Sequence, residues 1–193
     1  RGASAADARA YGDLLAADKQ HDAAAAAYAM AIARGGENDW NLHFLRGTAL
    51  DRAGRWSEAL ASLRRAVALA PRESKVLSYL GSALVSRGDG LEEGQLMLER
   101  ASRLRPNDPA IIDALGWAYY TRGDLVRALP LLERAAQADP GGSLVNEHLG
   151  DIYWKLGRRY EARYAWKAAA LYADDAAAPR IAAKLTNGLG AAN

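Results

Sequence analysis

The chain has 193 residues, half of them hydrophobic, with 25 basic against 23 acidic side chains and a net charge of +2. That balance argues against nucleic acid or an anionic membrane as the main partner, and no apolar run approaches the roughly 18 residues of a membrane span. There is no cysteine, which excludes disulfides, thiolate metal sites and a cysteine nucleophile while suiting cytosol and periplasm alike.

Alanine is abundant, phenylalanine occurs once, and valine and isoleucine are few; this composition favours helix over strand. One grammar then recurs along the chain. Residues 5–39 form its first, degenerate copy: Tyr11-Gly12 is followed by the small residues Ala24 and Ala31, no glycine marks the turn, and Gly35-Gly36 stands where later copies end in proline. Residues 40–73 carry Arg46-Gly47, a second glycine at Gly54, then Ala59, Ala66 and Pro71. Residues 74–108 carry Leu80-Gly81, Gly88, Gly94, Ala101 and Pro106, with one extra residue in the turn Gly88-Asp89-Gly90 that is expected to lengthen the loop. Residues 109–142 carry Leu115-Gly116, Gly123, Ala128, Ala135 and Pro140. Residues 143–175 carry Leu149-Gly150, Gly157, Ala162 and Ala169. The segment Ala176–Leu185 reads as a last amphipathic helix within a capping segment 176–188. Ile181 and Leu185 are expected to face the final repeat and Arg180 and Lys184 to face water, with Asn187-Gly188 as the stop and a frayed tail over 189–193.

Each copy describes two antiparallel helices joined by a short turn. The first glycine and the two small residues sit where backbones approach closely, and the second glycine supplies a left-handed cap. Proline stops the second helix. Asp108-Pro109 suits a helix start, and Pro130, expected near the first turn of its helix, is expected to cause no kink.

This pattern is similar to the tetratricopeptide repeat family, whose unit has about 34 residues. The resemblance covers roughly residues 5–175 and is strongest over 109–142 and 143–175. It implies an all-α, right-handed α-solenoid of stacked helix-turn-helix units, and a function in holding a protein or peptide partner. A narrower likeness rests on the run Asp113-Ala-Leu-Gly-Trp-Ala-Tyr-Tyr, on Asn146-Glu-His-Leu-Gly-Asp-Ile-Tyr-Trp, and on Lys184-Leu-Thr-Asn-Gly-Leu189. These resemble the C-terminal repeats of long bacterial cell-envelope members of the family, some of which are adaptors that bring substrates to a protease. The resemblance implies a periplasmic or envelope location; a cytoplasmic one is the alternative. The start at Arg1-Gly2, without methionine or a signal-peptide pattern, reads as that of a fragment or mature segment.

If the first helix of each unit lines the inner face, helical periodicity points Asp113, Trp117, Tyr120 and Thr121 into a groove, with Glu147, His148, Asp151, Trp154 and Lys155 in the next unit. Asn41, Phe44, Leu45, Thr48, Lys75, Tyr79 and Ser82 are the earlier counterparts. The candidate partner-binding residues are Asp113, Trp117, Tyr120, Glu147, His148, Asp151 and Trp154. Rigid amphipathic aromatics are enriched at binding hot spots. The competing reading packs these rings against the adjacent helix or the C-terminal cap. Trp40, Trp56 and Trp166 are expected to be structural, as are Tyr119 and Tyr153. The two-carboxylate clamp of some family members is not reproduced, because the matching positions hold Phe44, Thr48, Tyr79, Ala110 and Ala114.

The basic run Lys155, Arg158, Arg159, Arg163, Lys167 reads as a solvated face relieved by Asp151 and Glu161 rather than as an acidic-partner site. His21, His43 and His148 show no metal spacing. No phosphate-cradling loop, zinc-protease helix or nucleophile elbow is present. His148 with Glu147 and Asp151 reads as a hydrogen-bonded or solvated histidine rather than an acid–base group. No catalytic residue, metal or cofactor is therefore expected. Self-association, or a spacer role in a longer protein, is the alternative to partner binding.

Overall fold

Each helix pair closes on a contact between a glycine of its first helix and a bulky side chain of its second. In the computed structural model, which describes residues 4–190, a β-carbon on Gly47 would lie 2.7 Å from Leu63, and one on Gly116 would lie 2.9 Å from Leu132. Both are inside van der Waals contact, so any larger residue would push the pair apart. Gly12 meets Tyr28, Gly81 meets Leu98 and Gly150 meets Trp166 in the same manner. The small residues of the second helices complete the approach: Ala24, Ala31, Ala59, Ala66, Ala101, Ala128, Ala135, Ala162 and Ala169 are all fully buried.

The expected all-α architecture is observed. The described residues contain eleven α-helices and no strand. They are α1 (Ala5–Ala17), α2 (His21–Ala31), α3 (Trp40–Arg52), α4 (Trp56–Leu69), α5 (Ser74–Arg87), α6 (Leu91–Leu104), α7 (Pro109–Thr121), α8 (Leu125–Ala138), α9 (Ser143–Lys155), α10 (Arg159–Leu171) and α11 (Ala178–Asn187). The chain folds as two compact units, one up to Leu80 and the other from Gly81.

In the first unit the core gathers Ala8, Leu15, Tyr28, Leu42 and Leu50, with Trp56 packed against it. The Tyr28 hydroxyl donates to Asp13 at 2.8 Å, which satisfies a polar atom carried inward by a large ring. Tyr79 donates to Asp51 at 2.7 Å and packs edge-on against Phe44. The end of α2 widens into a π-turn over Ile32–Gly36, with Gly35 at φ 114°. This is how the degenerate copy stops its second helix without proline.

In the second unit Leu98, Leu115, Ala118, Tyr119, Leu132 and Ile152 form the main core, and Trp166 with Ile181 forms a second cluster. Asp108 caps α7 by accepting from the backbone N–H groups of Ala110 and Ile111. Pro130 is the sixth residue of α8, beyond the first turn where the sequence reading put it, and the helix runs through it unbroken. The carbonyl left without its N–H donor belongs to the exposed Val126, where water can serve. The extra residue near Gly88 does not lengthen the loop as expected. Residues 88–90 make a three-residue connection, the same length as 53–55 and 122–124, because α5 runs 14 residues where α3 and α7 run 13.

The turn glycines sit where the grammar requires: Gly54, Gly123 and Gly157 have φ of 78°, 80° and 79°. In the first unit Lys19 occupies this place, at φ 59°. A left-handed non-glycine residue costs about 1–2 kcal/mol, partly offset by the extra freedom glycine gives the unfolded chain. Lys19→Gly should therefore raise stability by about 0.5 kcal/mol, readable as a higher denaturant midpoint; a lower midpoint would contradict this account of the turn.

Candidate functional site

Helix α9 is used on three sides, and the division decides what each candidate residue does. Glu147, Asp151 and Trp154, spaced i, i+4, i+7, face α11. Leu144 and His148, spaced i, i+4, face a groove shared with α5 and α7. Leu149 and Tyr153, spaced i, i+4, lie on the remaining side with α10.

On the α11 side, Glu147 accepts from Arg180 twice at 2.7 Å and from Lys184 at 2.6 Å. Lys184 also donates to both carboxylate oxygens of Asp151, at 2.8 and 2.7 Å, and Trp166 Nε1 donates to the same group at 2.9 Å. Arg180 and Lys184 were expected to face water. Instead both turn onto α9, because two nearly buried carboxylates there demand positive partners. Burial pushes the Glu147 carboxyl up, but the hydrogen bonds from Arg180 and Lys184 outweigh it and hold the group at about 2. At Asp151 burial prevails and the carboxyl is raised, against the pull of Lys184 and Trp166. Trp154 lies 5.2 Å from Trp166, beneath Gly188 and Leu189. Leu189 thus packs on this cluster, contrary to the frayed tail expected from 189 onward; 191–193 lie outside the described residues. Glu147, Asp151 and Trp154 are all engaged by the chain's own α11 segment.

On the groove side, the imidazole of His148 is held by Asp113, Nδ1 lying 2.9 and 3.0 Å from its two oxygens. Trp117 stacks on His148 at 4.0 Å and on Tyr120 at 4.7 Å. Burial raises the Tyr120 hydroxyl to about 12. The faces of Trp117 are thus covered by the protein's own rings, one from its own helix and one from α9, while the residue still lines a cavity of about 400 Å³. Ser82 and Val85 of α5, Ala110 and Ala114 of α7, and Leu144 of α9 complete this wall. Leu144 is 54% exposed. It was missed in the sequence because a leucine at a helix start reads as core, yet its i, i+4 relation to His148 was there to find. Of the seven candidates, the structure brings together Asp113, Trp117, Tyr120 and His148 here and places the other three under α11.

The basic run also divides. Arg158 pairs with Glu161 and Glu133. Arg159 donates to the Trp154 carbonyl and lies 3.8 Å over its ring. Asp151, expected to relieve the run, pairs with Lys184 instead. Among the described residues no group of His, Asp and Glu could hold a metal ion, and no helix is long and apolar enough to cross a membrane.

The repeated glycine-to-bulky contact, the left-handed turn glycines and the paired helices agree with a sequence-family model, tetratricopeptide repeat, which matches residues 44–109, 81–143 and 114–181. The chain belongs to the tetratricopeptide repeat family. Proteins built from these repeats are in general scaffolds for protein or peptide partners rather than enzymes. Solved structures share the solenoid fold. A MamA double mutant, "MamA RS-1 ArsTM", is 18% identical with a TM-score of 0.77, covering 89% of this chain and 95% of that one. TTC0263 of Thermus thermophilus, a thermophilic member, is 23% identical with a TM-score of 0.75, covering 95% and 100%. YrrB, described as a member with an unusual peptide-binding site, is 21% identical with a TM-score of 0.70, covering 94% and 93%. No curated protein matches the chain.

The clamp on α11 has a pH signature. Because the Glu147 carboxyl sits at about 2 against an ordinary 4.5, its stabilising contribution is complete above about pH 4.5 and is lost as pH falls towards 2. The raised Asp151 carboxyl acts with the opposite sign. Glu147→Gln should destabilise the protein by about 2–3 kcal/mol at neutral pH. The gap between the melting temperatures of wild type and variant should close between about pH 4.5 and 2; a gap independent of pH would refute the assignment.

Proposed function

We propose that the second unit holds an extended peptide segment of a partner protein in the groove between α5, α7 and α9. The observation that carries this reading is the cavity of about 400 Å³ walled by Ala110, Ala114 and Leu144 above the rings of Trp117 and His148. Small alanines leave room for a backbone, and an exposed leucine together with the part of the Trp117–His148 stack that lines the cavity offers apolar contact. The Asp113 carboxylate fixes the imidazole, so the floor is organised before a ligand arrives, which lowers the ordering cost of binding. The peptide-binding description of YrrB supports a ligand of this kind. In our reading the protein is an adaptor of a bacterial cell-envelope complex, such as one that recruits substrates to a protease. The likeness of its C-terminal motifs to envelope members of the family supports that location.

Two variants test the groove. Trp117→Ala removes part of the floor, and Ala114→Trp fills the cavity while leaving the ring stack intact. Each should reduce capture of partners from envelope extracts at least about ten-fold, with helicity by circular dichroism unchanged. Equal capture by wild type and Ala114→Trp would move the site off this face, and partners recovered from cytosol alone would sink the envelope assignment.

A further inference from the structure

Helices α9 and α10 border an open recess of about 700 Å³ that is separate from the groove described above. Its walls include Leu149 and Tyr153 from α9 and Tyr160, Arg163, Tyr164 and Lys167 from α10. The four α10 residues are spaced i, i+3, i+4, i+7 and so share one side of the helix. Two large aromatics stand there almost wholly in solvent: Tyr160 is 92% and Tyr164 79% exposed. Packing within the unit does not explain them, since Ala162, Trp166 and Ala169, the α10 residues of the buried cluster, are not among its walls.

The charge around this recess is uneven. Glu161, the one acidic residue in its wall, is neutralised by Arg158. Arg163 reaches over the Trp154 ring at 5.5 Å without a carboxylate, and neither Arg163 nor Lys167 forms an ion pair among the described residues. An apolar floor, two exposed phenols and two uncompensated cations thus lie together. We propose that this face is a second docking site, for an acidic peptide segment that carries a bulky apolar or aromatic side chain. The apolar side chain enters between Leu149, Tyr153 and Tyr164, and its acidic flanks meet Arg163 and Lys167. Two cations without a carboxylate partner are too few to track a phosphate backbone, and an apolar recess is the wrong shape for one, so the chemistry favours a peptide over nucleic acid.

Short fluorescein-labelled peptides of glutamate interspersed with leucine and phenylalanine, and their lysine-for-glutamate counterparts, provide the test by anisotropy with the full chain. The acidic peptide should bind and the basic one should not. The double variant Arg163→Glu with Lys167→Glu should weaken binding at least about ten-fold, as should Tyr164→Ala, whereas Trp117→Ala should leave it unchanged. Absence of binding, or equal binding by the double variant, would overturn the proposal. Loss on Trp117→Ala alone would assign the peptide to the first groove. Tighter binding of a single-stranded oligonucleotide through the same two cations would replace peptide by nucleic acid.

Discussion

The close approach within each helix pair, glycine against a bulky side chain sixteen or seventeen residues later, is the contact from which the rest is built. It sets how near the two helices of a pair can come, and so which sides remain for neighbouring helices. The bulky partner varies from Tyr28 to Leu63, Leu98, Leu132 and Trp166 while the glycine does not. A larger partner reaches further, and this has consequences. Trp166 brings an indole N–H to Asp151 and a ring face to Trp154, linking pair closure to the seating of α11.

The same logic explains how one helix serves three neighbours. Helix α9 has only 13 residues, yet carboxylates clamp α11 on one side, Leu144 and His148 line a groove on the second, and Leu149 and Tyr153 border a recess on the third. Asp113 and Glu147 occupy equivalent places, a turn before the close-packed glycines Gly116 and Gly150. Each carboxylate is met from the helix that follows in the stack: His148 meets Asp113, while Arg180 and Lys184 meet Glu147. Helix α11 therefore stands to α9 as α9 stands to α7. The two stretches Asn146-Glu-His-Leu-Gly-Asp and Lys184-Leu-Thr-Asn-Gly-Leu are halves of one lock.

Much of the fold was legible because glycine and alanine report backbone constraints directly. The repeat period, the turn glycines and the burial of every marked alanine could be read from type and spacing alone. Lys19 was not legible: its left-handed backbone follows from the position of the turn, which the surrounding units impose. The site was legible only in part. Periodicity puts Glu147, His148, Asp151 and Trp154 on one broad stripe, but a helix packed on several sides splits such a stripe between neighbours. Arg180 and Lys184 looked solvated because amphipathicity is blind to a buried charge on the facing helix. Trp154 looked available for the same reason, since the glycine and leucine that cover it come from beyond a helix stop.

The lock between α9 and α11 also limits how such a chain can change in length. Within the second unit the joins α6–α7 and α8–α9 are alike, and a whole helix pair can be added or removed at such a join without stranding the charges between α9 and α11. The last pair differs, because its first helix carries two buried acids matched in register to two cations on the segment behind it. Separating them by an inserted pair would strand charge on both sides of the seam. An insertion between α10 and α11 would therefore be costlier than one between the pairs ahead of them, because it alone would break these ion pairs.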